Sequence, residues 1–542
     1  SERPELIRYP DGRQETYTYT RGDYTPGAPG TFSENPFGKH LRTTLTHGTT
    51  NHPAGLAHRT TREITIDDHA GRTLQTMTRV YDGSTYQTVV WRAHTLNELG
   101  QTVATTSSDG TTTSAGWGCC GTETETTADG IVTEYAYDAL QRPILTTRLG
   151  HDNQPDLYTE TAYDAAGRTT FRHTFAAGLA QTTTNTYDLA GRLTWTRHPD
   201  GTETTYTYTP NSTTTIRSGI SNVGCSLLNV AVTNVTVRYR DGRPHYTEQN
   251  GLRQQTHSYG VNPDGTQWTT IHTGPAATDS PTWQTTITDP LGRTIAQIRP
   301  GFPLPLGEGQ GEGSTLLITS NIYNTAGHLT RTEQWVSNVE SRMSDIESRM
   351  SSVECRLLDI HLYTYDPLGN LLLTCQDLNL NGQIDLSGPD RITGSDSRYL
   401  LINSDWWHQT ASISYGGTPV SPLTNALSRT RLTGLGTPFN PEQGMSNVEC
   451  SMLAVASGLL TAETHAIDHL GNVTASRTFI DRDYKTVFHI TTHPASTQAS
   501  GTITVNGLLE ESTTSSGHTS FYSYDGLGRQ IAVEDARGAI HS

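Results

Sequence analysis

A six-residue phrase returns along the chain: Tyr137-Asp138-Ala139-Leu140-Gln141-Arg142, Tyr163-Asp164-Ala165-Ala166-Gly167-Arg168 and Tyr187-Asp188-Leu189-Ala190-Gly191-Arg192. Two more copies are Tyr365-Asp366-Pro367-Leu368-Gly369-Asn370 and Tyr524-Asp525-Gly526-Leu527-Gly528-Arg529. Degenerate copies keep the frame at Asp67 to Arg72, Asp289 to Arg293, Tyr323 to His328 and Asp468 to Asn472. Asp138 and Asp164 are 26 residues apart, Asp164 and Asp188 are 24. A fixed short period means one supersecondary unit copied many times, each copy burying its face against its neighbours.

The phrase has a mechanical reading. Runs such as 182–187 and 192–196 are rich in Thr, Tyr and Trp, which favour strands. Between such runs, Asp at the first turn position bonds the backbone two residues on, and Gly at the fourth accepts a left-handed conformation. Each unit is therefore a strand, a tight turn and a strand, with Tyr137, Tyr163, Tyr187, Tyr365 and Tyr524 each closing a strand. Pro199-Asp200-Gly201-Thr202 and Pro263-Asp264-Gly265-Thr266 supply the return turns. The fold class this predicts is all-β: an array of antiparallel hairpins forming a curved sheet or part of a hollow shell.

Tyr-Asp-x-x-Gly-Arg at this spacing resembles the YD-repeat, or RHS, family of bacteria, to which the animal teneurins are related. The resemblance covers about residues 60–540, with interruptions. It implies hairpin arrays that spiral into a large shell, in some members enclosing a C-terminal toxin. It also implies a secreted or cell-surface bacterial location. Neither the aspartate-based self-cleaving segment of toxin-releasing members nor a toxin module is recognisable here. The chain starts at Ser1 without a leader, which reads as a piece of a longer protein.

Two stretches break the frame. Residues 301–315 hold a Pro/Gly run that no strand tolerates. Its Gly-x-Gly-x-Gly carries two glutamates and no lysine, and opens no helix, so it is a loop and not a phosphate cradle. Residues 337–360 carry three heptads, with Val339, Met343, Ile346, Met350, Val353, Leu357 and Ile360 on one seam. Ser337 and Glu340 form a capping box. A helix is expected near 339–360, inserted at a hairpin tip. It could dimerise the chain, but three heptads are marginal alone, which favours a helix resting off the sheet. The resulting divisions are an N-terminal segment 1–60 of undefined character and a repeat array 61–300. After the loop 301–315 come a repeat stretch 316–336, the helix 337–360 and a second array 361–542. Four of six cysteines, Cys225, Cys355, Cys375 and Cys450, lie in or beside inserted or linking pieces.

Composition narrows the function classes. With 54 acidic against 37 basic residues, a net charge of −17 argues against nucleic acid as partner. No run approaches the ~20 apolar residues of a membrane-spanning helix. No nucleophile-elbow, zincin or Cys-x-x-Cys motif is present. His465 and His469 flank a repeat turn and need not converge. Cys119-Cys120 reads as a Gly-rich turn, since a lone pair lacks the four ligands of zinc. No catalytic residue is assigned and no enzyme activity is expected.

One segment carries ligand chemistry. In 377–390, the side chains of Asp377, Asn379, Asn381 and Asp385 fall at positions one, three, five and nine of a calcium loop. The carbonyl of Gln383 falls at position seven and Gly382 at the sharp turn. Position twelve is Gly388 where a carboxylate should close the site, so Asp390, two residues late, would substitute. The expected ion is Ca2+ bound weakly, in the extracellular range, against the alternative of a plain Asn/Gly turn. The overall expectation is a non-enzymatic scaffold that encloses or displays a C-terminal module encoded elsewhere in its own chain. The alternative is an adhesion protein whose eight Trp and 24 Tyr offer stacking platforms to cell-surface glycans.

Overall fold

The computed structural model describes residues 3–541 except 52–55, 153, 219, 224–225, 230–231, 250–251, 275–281, 302–314, 339–354, 416–422, 439–457, 495 and 497–498. Among the described residues there is no helix, and 39 strands join antiparallel in a single sheet. Nearly every strand pairs with its neighbours in sequence. Thr31–Glu34 instead hangs on Arg13–Thr25 alone, which pairs onward with His40–Thr49. The small hairpin Ile220–Val223 and Ser226–Asn229 stands outside the sheet, and Ser212–Ser218 pairs with Val232–Arg238 across it. The four strands between Leu6 and Thr49 belong to the same sheet as the repeats.

All five tyrosines of the phrase end a strand, at Tyr137, Tyr163, Tyr187, Tyr365 and Tyr524. The turn that follows is held as its composition requires. Asp164 Oδ1 accepts the N–H of Ala166 and of Arg168 at 2.9 Å each, and Oδ2 accepts Arg168 Nε at 2.6 Å. The same arginine reaches forward: its Cζ lies 4.8 Å from the Tyr187 ring centre, and Nη1 donates to the Asp188 carbonyl at 3.2 Å. Tyr187 Oη in turn donates back to the Thr169 carbonyl at 2.9 Å. Arg142 repeats this, bonding Asp138 at 2.7 Å, stacking on Tyr163 at 4.8 Å and donating to the Asp164 carbonyl at 3.1 Å. Hydrogen bonds from Arg142 hold the Asp138 carboxyl below its ordinary value, and the Arg168 N–H does the same for Asp164. Tyr, Asp and Arg recur together because arginines such as these couple their own turn to the next.

The sheet is one layer with two lateral edges of hairpin tips. The Tyr-Asp turns at 68–72, 138–142, 164–168, 188–192, 289–293, 324–328, 366–370 and 525–529 share one edge, here the signature edge. Turns such as 108–111, 127–131 and 198–202 lie on the other, the return edge. Pro263-Asp264-Gly265 departs from expectation: strand order places 262–266 on the signature edge, where it replaces a Tyr-Asp turn. A single layer has no common core. Its buried apolar residues fall into small clusters, such as Ile360, Leu362, Cys375 and Ile392, or Leu460, Phe479, Phe488 and Ile490. Threonine rungs fill between, as where Thr270 and Thr285 Oγ1 meet at 2.8 Å, buried. A modest apolar content of 33% suffices for such a fold.

The heptad expectation is corrected in part. Cys355–Tyr365 is a strand, not the end of a helix, and it pairs with Leu329–Asn338 from Ser337↔Cys355 to Arg331↔Leu362. Ile360 is fully buried in the sheet and Ser337 is 1% exposed, so neither belongs to a dispensable insertion. Long-range ladder pairing overrode a local period that fits helix and strand alike over its last six residues. Residues 339–354 lie outside the described residues. The Pro/Gly run likewise falls between paired strands, with the Gly301 N–H on the Thr315 carbonyl at 2.8 Å, and 302–314 lie outside the described residues.

At the fourth turn position Gly167 and Gly191 have φ of +81° and +85°, while Gln141 holds φ +60° with a side chain. A left-handed residue with a Cβ costs about 1 kcal/mol more than glycine. Gln141→Gly is therefore expected to stabilise the hairpin by about 0.5–1 kcal/mol, and Gly167→Gln to weaken its own by a similar amount. Amide hydrogen exchange across 133–148 and 159–174 checks both.

Candidate functional site

The strip of hairpins turns back on itself. Return-edge tips from the first third of the chain meet signature-edge tips of the last third. Arg59 Nη2 donates to Asp396 Oδ1 at 2.6 Å, with Asp366 Oδ2 at 4.0 Å from Nη1. The Tyr399 N–H reaches the His58 carbonyl at 2.7 Å, and His328 Nε2 lies 3.3 Å from Asp11 Oδ2. Further along, Lys485 Nζ donates to the Gly150 carbonyl at 3.2 Å. Asn506 Nδ2 donates to the Leu149 carbonyl at 3.2 Å and to Gln154 Oε1 at 3.0 Å, and Arg148 donates to the Asn506 carbonyl. The side-chain bonds from Arg59, Arg148, Gln154, Lys485 and Asn506 join residues 335 to 358 apart in sequence. That near-constant offset is what a strip wound once around and laid edge against edge produces. An apolar cluster of Val80 and Val89 with Trp406, flanked by Tyr399 and Leu432, closes the same seam.

The turn leucines record which tips the seam covers. Leu140, Leu189 and Leu291 are 67%, 109% and 78% exposed. Leu368 and Leu527, at the same turn position as Leu140 and Leu291, are half-buried and line cavities of about 180 and 360 Å3 between the apposed edges. Asn506, a polar residue at a seam tip, is 4% exposed, with φ +46° followed by Gly507 at +76°. Asn-Gly suits such a two-residue hairpin turn. Asn506→Ala should lower stability by about 2 kcal/mol, through the lost bonds and the strained φ together. Asn506→Gly, which relieves the φ, should fall between that and wild type in thermal melts.

The loop 377–390 gathers the residues its spacing selected. Asp377, fully buried, accepts the Gly382 N–H at 2.7 Å and the Asn381 N–H at 3.3 Å. Asn379 Oδ1 accepts the Asn381 N–H at 3.0 Å, and Asn381 Oδ1 accepts the Gln383 N–H at 2.7 Å. Both amides donate to Asp385 Oδ2, at 2.9 and 2.7 Å. Asp390, 4% exposed, folds back under the loop: its oxygens accept the N–H groups of Leu378 and Asp385 at 3.1 and 3.0 Å. Burial beside Asp390 pushes the Cys375 thiol up to about 12. Gly388 bonds the Asp385 carbonyl at 3.0 Å and brings no side chain. The loop is thus satisfied by its own N–H donors, and among the described residues no three His, Cys, Asp or Glu side chains are placed to hold a metal ion.

Other candidates resolve into structure. Cys119 and Cys120 sit in a turn closed by the Gly118 N–H on the Gly121 carbonyl at 2.9 Å. His465 packs on Trp407, ring centres 4.7 Å apart, and lies 3.0 Å from Glu463. Sequence reading missed Glu463, 5% exposed, which also takes Arg431 and Arg477 at 2.9 Å each. Burial opposes its ionisation, but the bonds from His465 and Arg431 and the charge of Arg477 outweigh burial and hold the carboxyl low. Its partners come from three strands with no shared motif, so no local signal announced them. Tyrosines of the repeat frame spend their hydroxyls on backbone, as Tyr163 does on the Pro143 carbonyl at 2.8 Å and Tyr365 on Leu329 at 2.9 Å.

No protein-family model matches the chain, and no curated protein matches it. Among solved structures, it is similar to TcdB2-TccC3 at 11% identity and TM-score 0.34, over 98% of this chain and 36% of that one. The same complex without its hypervariable C-terminal region gives 11% and 0.31, over 92% and 34%. The Photorhabdus luminescens Tc holotoxin pore gives 12% and 0.24, over 92% and 34%. The chain spans about a third of the length of these structures' matched chains. Scores this low do not establish a shared overall fold. What stands is the class of architecture: an all-β array of antiparallel hairpins in one curved sheet.

Proposed function

We propose that this chain is a wall: a non-enzymatic RHS-like scaffold that forms part of a shell, enclosing or displaying a module encoded elsewhere in its own chain, outside the cell. The observation that carries this reading is the edge-to-edge seam, because a strip that returns onto its own edge has an inside and an outside. The coupled turns support it by stiffening the strip along its length. Tyrosine rings covered by turn arginines, as at Tyr163, Tyr187 and Tyr323, leave fewer aromatic faces for the alternative of glycan adhesion. Cryo-electron microscopy of the natural full-length product tests the reading. Ordered or diffuse density held within the curve is expected. An empty curve, together with saturable binding on a glycan array, would replace it with adhesion.

We also propose the loop 377–390 as a weak calcium site within that wall. The Asp377, Asn379 and Asn381 oxygens already lie around the Gly382 turn, and the ion would take Asp385 from the two Asn amides, with the Gln383 carbonyl and Asp390 completing the oxygens. Calcium accepts six to eight oxygens in flexible geometry, which tolerates such a rearrangement. Calorimetry should detect binding near millimolar calcium, abolished by Asp377→Ala. Absence of heat at that concentration, or an equal signal from the variant, would leave a self-satisfied polar turn.

A further inference from the structure

Near the start of the strip three arginines, Arg42, Arg62 and Arg79, converge on one face, and two of them, Arg62 and Arg79, have no carboxylate partner such as the turn arginines have. Arg62 pairs in register with Arg79 on one side and Thr46 on the other. Arg42 lies in the row Arg42–Ile66–Gln75, four residues along from Thr46 and on the same face. On the same face, in and between these rows, are the buried Ile64, Ile66 and Met77, flanked by Phe32 and Trp91. Turn arginines such as Arg142, Arg168, Arg192 and Arg293 each close on an aspartate within 2.7 Å. In this cluster Arg42 alone has an acid, Glu34 at 2.5 Å, whose side chain is 66% exposed. Glu63 alternates to the opposite face, where it meets His47 at 3.7 Å.

The remaining groups are short of acceptors. Arg62 spends Nε on Thr46 Oγ1 at 3.0 Å and lays its guanidinium 3.8 Å from the Tyr86 ring centre. Arg42 Nε and Arg79 Nε are buried with no hydrogen-bond partner. Gln75, fully buried on the same face, has neither amide atom partnered. Burial and the charges of Arg62 and Arg42 press the Arg79 guanidinium below its ordinary pKa. Buried donors without acceptors are costly, and three like charges side by side add repulsion. A ligand that brings several acceptor oxygens and two negative charges removes both penalties at once.

We propose that Arg42, Arg62 and Arg79, with Gln75, form a binding site for a doubly charged oxyanion, a phosphate or sulfate group. Planar guanidiniums match the tetrahedral oxygens of such a group two at a time. Gln75 supplies an amide N–H₂ beside them. The site does not depend on the shell reading, since its residues lie on three adjacent strands, His40–Thr49, Thr61–Asp67 and Thr73–Tyr81.

Titration calorimetry of the whole chain with inorganic phosphate and, separately, inorganic sulfate, at fixed ionic strength in chloride, tests it. Saturable one-to-one binding of at least one anion is expected, and the tighter of the two identifies the group. Arg79→Gln and Arg62→Gln should each weaken it by about tenfold or more. Arg192→Gln, on a free turn paired with Asp188, should leave it unchanged. Arg79→Lys guards against misfolding: keeping charge but not the planar fork, it should still bind, several-fold more weakly. No saturable binding of either anion by the wild type at millimolar concentration would overturn the proposal. So would wild-type affinity in folded Arg79→Gln, or equal weakening by Arg192→Gln.

Discussion

Repeat arginines such as Arg72, Arg142 and Arg168 are each shared between two turns, and the rest of the structure follows from that sharing. A single-layer sheet has no interior to fix its curvature or keep its hairpins in step. Ladder hydrogen bonds set the pairing of neighbouring strands, but a strip of hairpins remains free to flex at its tips. Arg142 and Arg168 remove that freedom on the signature edge by clasping their own aspartate and stacking on the tyrosine of the following unit. The same contact recurs between Arg192 and Tyr208, Arg243 and Tyr259, and Arg293 and Tyr323, at 4.6, 4.4 and 4.8 Å. Each is a modest interaction on a partly exposed surface. Repeated along one edge, they bias these joints in the same sense, and a strip biased in one sense curls.

A curled strip must do something with its edges. Hairpin tips cannot accept further ladder pairing, so the two edges meet through side chains and turn carbonyls. Arg59, Lys485 and Asn506 each place a donor on a tip group more than 300 residues away. These contacts are few and polar, with one apolar cluster around Trp406. The seam is consequently the place where such a wall would open first, and the place where a wall and an open strip differ.

Sequence legibility divides along the same line. The Tyr-Asp-x-x-Gly-Arg units were readable because local chemistry writes them: a turn needs Asp at one end and a left-handed residue at its fourth position. Strand ends at Tyr137, Tyr163, Tyr187, Tyr365 and Tyr524 followed. The oxygens of 377–385 were readable for the same local reason. Cys355 to Ile360 was misread because its heptad spacing is local evidence, whereas the partner strand that decides its conformation is found only in three dimensions. The seam, the Glu463 cluster and the arginine face at Arg62 and Arg79 left no linear signature at all. Their members sit on different strands, and only register or winding brings them together.

Winding itself is the claim most open to direct measurement. A Cβ built on Gly526 lies 2.6 Å from the Ala177 Cβ, so cysteines at these two tips are within reach of a disulfide after a small shift of the hairpins. With Cys119, Cys120 and Cys355 replaced by serine, Ala177→Cys with Gly526→Cys should cross-link within one chain on mild oxidation, as read by peptide mass spectrometry. Ala190→Cys with Gly526→Cys, which pairs a tip on the uncovered edge with the same seam position, should not. Absence of the first cross-link in folded protein, or its formation only between chains, would contradict a strip that closes on its own edge.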